Sequence, residues 1–141
     1  MLNLPSAYLV DNVDRIARTT GSAPVPDAKR RRGYRHVRDK FAEAQLTPIT
    51  SDLVRPPRVA ECPVQMEATL RAVHAVGGGS ALALEVAIER VHADQDILAE
   101  PNRIDPDAWR PLIMSFQYFY GLTPSRLAPS TLAEIPEALY R

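Results

Sequence analysis

The sequence predicts a mainly β protein with short helices, an α+β fold built on an antiparallel sheet with a long hairpin over residues 64–76 and 82–92. Three observations predict it. From Val64 the residues alternate, with Val64, Met66, Ala68, Leu70 and Ala72 facing one way and Gln65, Glu67, Thr69 and Arg71 the other. After a run of glycines, Leu82, Leu84, Val86 and Ile88 share a face, with Glu85 and Glu89 opposite. Period two on both arms marks half-buried antiparallel strands. Finally, thirteen prolines, clustered at 24–26, 48–63, 101–111 and 124–136, cut the rest of the 141 residues into short ordered pieces.

The apolar positions are even-numbered on both arms, so a regular ladder sets Val76 opposite Ser80 or Leu82 and gives a loop of three or five residues. A two-residue turn would put the apolar faces on opposite sides. Gly77, Gly78 and Gly79 suit the positive φ of such a loop. Two strands do not make a stable sheet, and few other segments read as strands.

Upstream, Met1–Leu4 reads as a strand end. Ser6 is a candidate N-cap, and Leu9, Val10, Val13, Ile16 and Ala17 form one apolar face, which predicts a helix over 6–18 stopped by Gly21. Residues 21–35 read as a loop with a basic run, Lys29–Arg32. Val37, Phe41 and Ala44 predict a helix over 34–44, and 47–63 an extended connection. Downstream, Asp94–Leu98 reads as a turn and a short edge element. Asp105 before Pro106 predicts a helical turn over 106–110, and a short helix is expected near 130–134.

Seventeen basic residues balance seventeen acidic ones, so composition gives no pull toward nucleic acid. One cysteine cannot form an internal disulfide. No apolar run approaches the roughly 20 residues of a membrane span, and the first residues lack the basic start and apolar stretch expected of a signal peptide. A cytoplasmic protein is the expectation.

His74 and His92 fall at opposite ends of the hairpin, separated by roughly 26–33 Å at about 3.3 Å per residue. They cannot share a metal in one monomer, Cys62 has no CxxC partner, and no metal site is expected. Cys62 reads as a small buried residue before Pro63. No GxSxG elbow is present. The glycine run is neither GxGxxG nor GxxxxGK[ST], and it joins two strands, so it reads as a turn. Lys29–Arg32 reads first as a solvated loop and second as a site for a nucleotide phosphate. Phe116, Tyr118, Phe119 and Tyr120 read as core or interface filling, and beyond that as a surface suited to a flat heterocycle.

Six segments, "LNLPS", "DKFAEAQLTP", "RVAECPVQMEATL", the glycine turn, "LEVAIERVHADQDIL" and "RIDPDAWRPLIMS", occur in this order. Together they resemble the flavin reductase-like family, the FMN-binding split-barrel proteins. The resemblance implies an antiparallel split-barrel sheet, incomplete here. It implies FMN near the interface of a homodimer, NAD(P)H as reductant of the flavin and, in some members, a monooxygenase partner; it brings no nucleic acid and no membrane. Residues 1–122 resemble the C-terminal two-thirds of such a domain, with 123–141 expected as an extension packed on the surface. The family's strands ahead of the "LNLPS" position, with their Ser/Asn-rich contacts to phosphate and isoalloxazine, have no counterpart here, and an N-terminally truncated chain is the expectation. No catalytic residue is assigned. Asn3 in the "NLP" strand end, Lys40 in the "DKF" helix and Tyr118 in the aromatic segment are the flavin-pocket candidates. The competing expectation is a non-catalytic β-domain, serving dimerisation or surviving as a remnant, that retains no flavin.

Overall fold

The computed structural model describes residues 1–79, 81–100, 102–123, 127, 128 and 130. The helix expected over 130–134 and most of the 123–141 extension lie outside them.

The chain opens with β1 (Leu2–Leu4), a 3₁₀ turn over Ala7–Leu9 and α1 (Val10–Arg15). The helix expected over 6–18 is therefore short at both ends. The Ser6 side chain makes no capping bond, and its backbone instead bridges Pro111. At the other end Ile16 closes the helix, and the chain leaves to form β2 (Thr19–Thr20) well before Gly21. β2 pairs in parallel with β3 (Arg35–His36), and the excursion between them carries α2 (Asp27–Arg30). This pairing confines the next helix, expected over 34–44, to α3 (Lys40–Ala44). Asp39 caps it by accepting from the Ala42 N–H at 3.0 Å, and Gln45 ends it at φ 55°. The connection expected to be merely extended folds as a small hairpin, β4 (Pro48–Ile49) with β5 (Arg58–Val59).

The long hairpin is β6 (Val64–Val76) with β7 (Ala81–Ala93), and β1 flanks β6 to give the sheet order β1–β6–β7. The expected register is overturned. Val76 lies opposite Ala81 and Val64 opposite Ala93, so the loop has four residues, an even number. The cause is a pair of register shifts, in which Glu89 on β7 and Arg71 on β6 each fall out of the ladder. An extra residue reverses the facing of everything beyond it. The sequence changes phase at the same two places: Val91 and Ala93 on β7, and Val73 and Ala75 on β6, are odd-numbered. The two shifts cancel, and one face carries Val64, Met66, Ala68, Leu70, Val73 and Ala75 against Ala93, Val91, Ile88, Val86, Leu84 and Leu82.

Only the base of this face is covered. Val64 is 1% exposed, whereas Leu84 is 61% exposed, and Leu70, Val73, Leu82, Ile88 and Val91 are likewise open. The core lies on the other side of the sheet, behind Asn3 and Gln65, where Leu9, Val59 and Cys62 cluster with Phe41 and Leu46 packed against them. Cys62 is buried as expected. Burial pushes its thiol up to about 11, with Glu61 and Asp94 adding to the shift.

Beyond β7 a 3₁₀ turn leads into β8 (Leu98–Glu100) and β9 (Arg103–Ile104). The helical turn expected at 106–110 is a single turn on Asp105. Asp105 Oδ1 accepts from Asp107 N–H, and its carbonyl accepts from the N–H groups of Ala108 and Trp109. Finally β10 (Ile113–Ser115) pairs with β11 (Tyr118–Tyr120). Its two turn residues, Phe116 and Gln117, take φ 47° and 71°, where Asn-Gly is preferred. Phe116 is 95% exposed, and Tyr118 and Tyr120 are also open, so this segment does not fill the core of the chain.

Because the two shifts offset one another, deleting Arg71 or Glu89 alone should turn half the hairpin over. Each single deletion is expected to lower Tm by on the order of 5 °C. Deleting both restores a regular ladder with the same apolar face, and thermal unfolding should recover most of the loss.

Candidate functional site

Around the base of the hairpin the fold gathers four groups of residues. The first is built on Glu67, which alternation places on the polar side of β6. It is nonetheless fully buried, at 0% exposure. Its carboxylate accepts from the backbone N–H groups of Asp52 (2.9 Å), Leu53 (2.6 Å) and Val54 (3.1 Å), and it bonds His92 Nε2 at 2.7 Å. Burial would raise this carboxyl's pKa. The Asp52 N–H, His92 and the Leu53 and Val54 N–H groups outweigh burial and hold it down at about 2. Arg90 pairs with the Asp52 carboxylate beside it.

Asp52, Glu67 and His92 each bring one ligand atom, all within 4.8 Å of one another. Those oxygens are already engaged by three backbone donors, an imidazole and a guanidinium. The trio therefore serves as a latch between the 52–54 loop and the hairpin. Sequence reasoning missed it because the phase change at Glu89 is what turns His92 toward Glu67. The signal was there, in the switch of apolar residues to odd positions at Val91 and Ala93.

The second group is a small apolar pocket of about 140 Å³ between α1, α3 and β5, lined by Ile16, Lys40, Phe41, Ala44, Leu46 and Val59. Lys40 stands at its edge and donates from Nζ to Thr19 Oγ1 at 2.7 Å. Asn3 meets the same strand, its Oδ1 accepting from the Val59 N–H at 3.1 Å. Gln65 completes this wall, donating to the carbonyls of Val59 and Cys62 and accepting from Arg58.

The third is a cavity of about 550 Å³ at the foot of the apolar sheet face, where Val91 and Ala93 look across at Leu98, Asn102 and Ile104. The fourth is a polar cavity of about 390 Å³ beside α1, lined by Asp14, Arg15, Ala17, Arg18, Gly33 and Arg35.

Asn3 and Lys40, two of the three flavin-pocket candidates, thus converge on Val59. Tyr118 stands apart, exposed on β11, while its neighbour Phe119 lines, with Met114, Pro5, Val13 and Ile16, a further apolar cavity of about 370 Å³. His74 and His92 each meet a carboxylate, Glu85 and Glu67 respectively, at opposite ends of the hairpin. Among the described residues, no helix is long and apolar enough to cross a membrane.

Comparison with protein-family models finds no match. The uncharacterized protein YdfE of Bacillus subtilis (strain 168) is 35% identical over 123 residues, 86% of this chain and 59% of YdfE. Flavoredoxin of Desulfovibrio vulgaris (Miyazaki F) superposes with a TM-score of 0.69 at 23% identity, over 94% of this chain and 63% of flavoredoxin. A Shewanella frigidimarina NCIMB 400 protein, assigned as a flavin reductase with a split barrel domain, gives 0.65 at 14% identity, over 92% of this chain and 59% of its own. The fold is a split barrel. The chain spans about three fifths of each of these proteins, and no closed barrel forms among the described residues of the split-barrel sheet.

The Glu67 latch makes stability acid-sensitive. A carboxyl held near 2 when folded, against an ordinary value of 4.5, contributes its full stability above about pH 4.5. That contribution is lost as the pH falls toward 2. Glu67→Gln should flatten the acid unfolding curve in this window. Glu67→Ala, which strands three backbone donors, should lower Tm further than Glu67→Gln.

Proposed function

We propose that this chain acts as an FMN-binding, flavin reductase-like oxidoreductase passing a hydride from NAD(P)H to flavin. The observation that carries the reading is the split-barrel sheet itself. Its open apolar face runs down into the cavity at Val91, Ala93, Leu98, Asn102 and Ile104. A flat apolar ring fits such a surface.

Bound flavin would supply the redox chemistry, so the protein need only bind, orient and exclude water. Asn3 has its Oδ1 committed to Val59 and would present its amide N–H groups to the ligand. Lys40, steadied by Thr19, would offer a cationic donor at the pocket rim, and Tyr118 a ring for stacking. The exposed row from Leu70 to Val91 supports a homodimer in which a second copy covers the sheet, since open apolar area on this scale is rare on a monomer. The same row favours a second reading, a dimerisation domain without flavin.

The first reading predicts that purified protein incubated with FMN and desalted stays yellow at micromolar concentration and oxidises NAD(P)H only when FMN is present. Lys40→Ala and Tyr118→Ala should each weaken FMN binding about tenfold in equilibrium titration. A colourless protein with no FMN-dependent oxidation, dimeric by sedimentation, would leave the second reading standing.

A further inference from the structure

The basic run Lys29–Arg32 belongs to an excursion that the flavin reading leaves unused. The excursion is pinned at its neck. Thr19 and Thr20 pair with Arg35 and His36, the Arg35 N–H donates to the Arg18 carbonyl at 3.1 Å, and the Val37 N–H donates to the Thr20 carbonyl at 3.0 Å. Inside it Gly33 takes φ +79°, and a Cβ there would stand 3.3 Å from Arg18 Nη1. Glycine thus lets the Arg18 guanidinium lie against the backbone. Lys29 and Arg32 stack on the Tyr34 ring, 5.7 and 5.6 Å from its centroid, which holds the run in place.

The neck brings three guanidinium groups, Arg15, Arg18 and Arg35, to the cavity of about 390 Å³ beside α1. Arg35 is held by a forked pair with Glu43. Arg15 and Arg18 form no salt bridge among the described residues, although the Arg15 charge is close enough to help lower the pKa of Glu43, and Asp14 is the one carboxylate in the lining. Two guanidinium groups free of salt bridges, lining one polar cavity, match the oxygens of a doubly charged anion, because each planar fork can give two parallel hydrogen bonds.

We propose that this cavity binds the phosphate monoester of a nucleotide, with Arg15 and Arg18 as its contacts and Gly33, at the end of the 21–34 excursion, in its wall. The site does not depend on the flavin reading. The phosphate can come from a flavin mononucleotide or from the 2′-phosphate of a nicotinamide cofactor, and the two sources can be separated.

Isothermal titration calorimetry on the full chain would use inorganic phosphate first. It would then compare FMN with riboflavin and NADP⁺ with NAD⁺, pairs that differ by a phosphate monoester. Inorganic phosphate is expected to bind, and the phosphorylated member of one pair to bind more tightly, which identifies the source. Arg18→Ala should erase about 10- to 100-fold of that preference, Arg15→Ala/Arg18→Ala all of it, and Arg31→Ala, outside the lining, none. Far-UV circular dichroism checks that the variants fold. On the unaltered protein, the affinity of the member carrying the monoester should fall more steeply with added salt than that of its twin lacking it. Absence of phosphate binding with no preference in either pair overturns the proposal. So does a preference that survives Arg15→Ala/Arg18→Ala or does not respond to salt. If FMN and riboflavin both fail to bind while NADP⁺ outbinds NAD⁺, the flavin reading falls and this site stands.

Discussion

The structure depends on keeping one apolar face along two strands whose sequences each change phase. β6 switches its apolar side after Leu70 and β7 after Ile88, and either switch alone would twist half of the face toward the polar side. Expelling Arg71 from one ladder and Glu89 from the other removes both mismatches. The expelled residues then find each other, since Glu89 Oε1 accepts from Arg71 at 3.0 Å and from Thr69 Oγ1 at 2.6 Å. This exposed cluster is a modest energetic contributor. Its importance is geometric, because it lets a long strand pair stay in register with itself.

The same phase change builds the latch. With Glu89 out of the ladder, His92 and Arg90 face the side of Glu67 and Gln65. Glu67 then ties the 52–54 loop to the sheet, and Gln65 ties the loop before β6 to it through Val59 and Cys62. Asn3 anchors Val59 from the other side. A buried carboxylate with four donors is worth keeping only while every donor remains, so the base of the sheet behaves as one unit. The upper half has no such support, and its faces stand open.

The hairpin, its glycine turn, the strand at Leu2–Leu4 and the buried Cys62 were legible because period-two alternation and local turn chemistry are properties of short segments. The helices were overextended because apolar spacing does not register that Thr19–Thr20 and Arg35–His36 pair, a contact between residues far apart in the chain that cuts both helices short. The loop parity failed for a related reason. Parity holds for a regular ladder, and the odd-numbered Val73, Ala75, Val91 and Ala93 were the marks of an irregular one. At the candidate site, Asn3, Lys40 and Tyr118 were pocket candidates by resemblance alone, and their positions relative to Val59 depend on contacts between distant segments. Glu67, read as a solvent-facing strand residue, could not be seen as buried without knowing that a loop folds over it.

Among the described residues, a wall of this kind leaves two things unanswered: the apolar face from Leu70 to Val91 and the outer edge of β7, a strand of thirteen residues with one neighbour. Long open edges and apolar faces are ordinarily covered. We propose, as the central claim, that this hairpin is one wall of a larger barrel, covered by a second copy of the chain. Hydrogen exchange along β7 tests it directly. If the claim holds, the β7 amides pointing away from β6 exchange as slowly as those bonded to it. Fast exchange of the outward amides beside slow exchange of the inward ones would mean that the edge meets only water, and would contradict it.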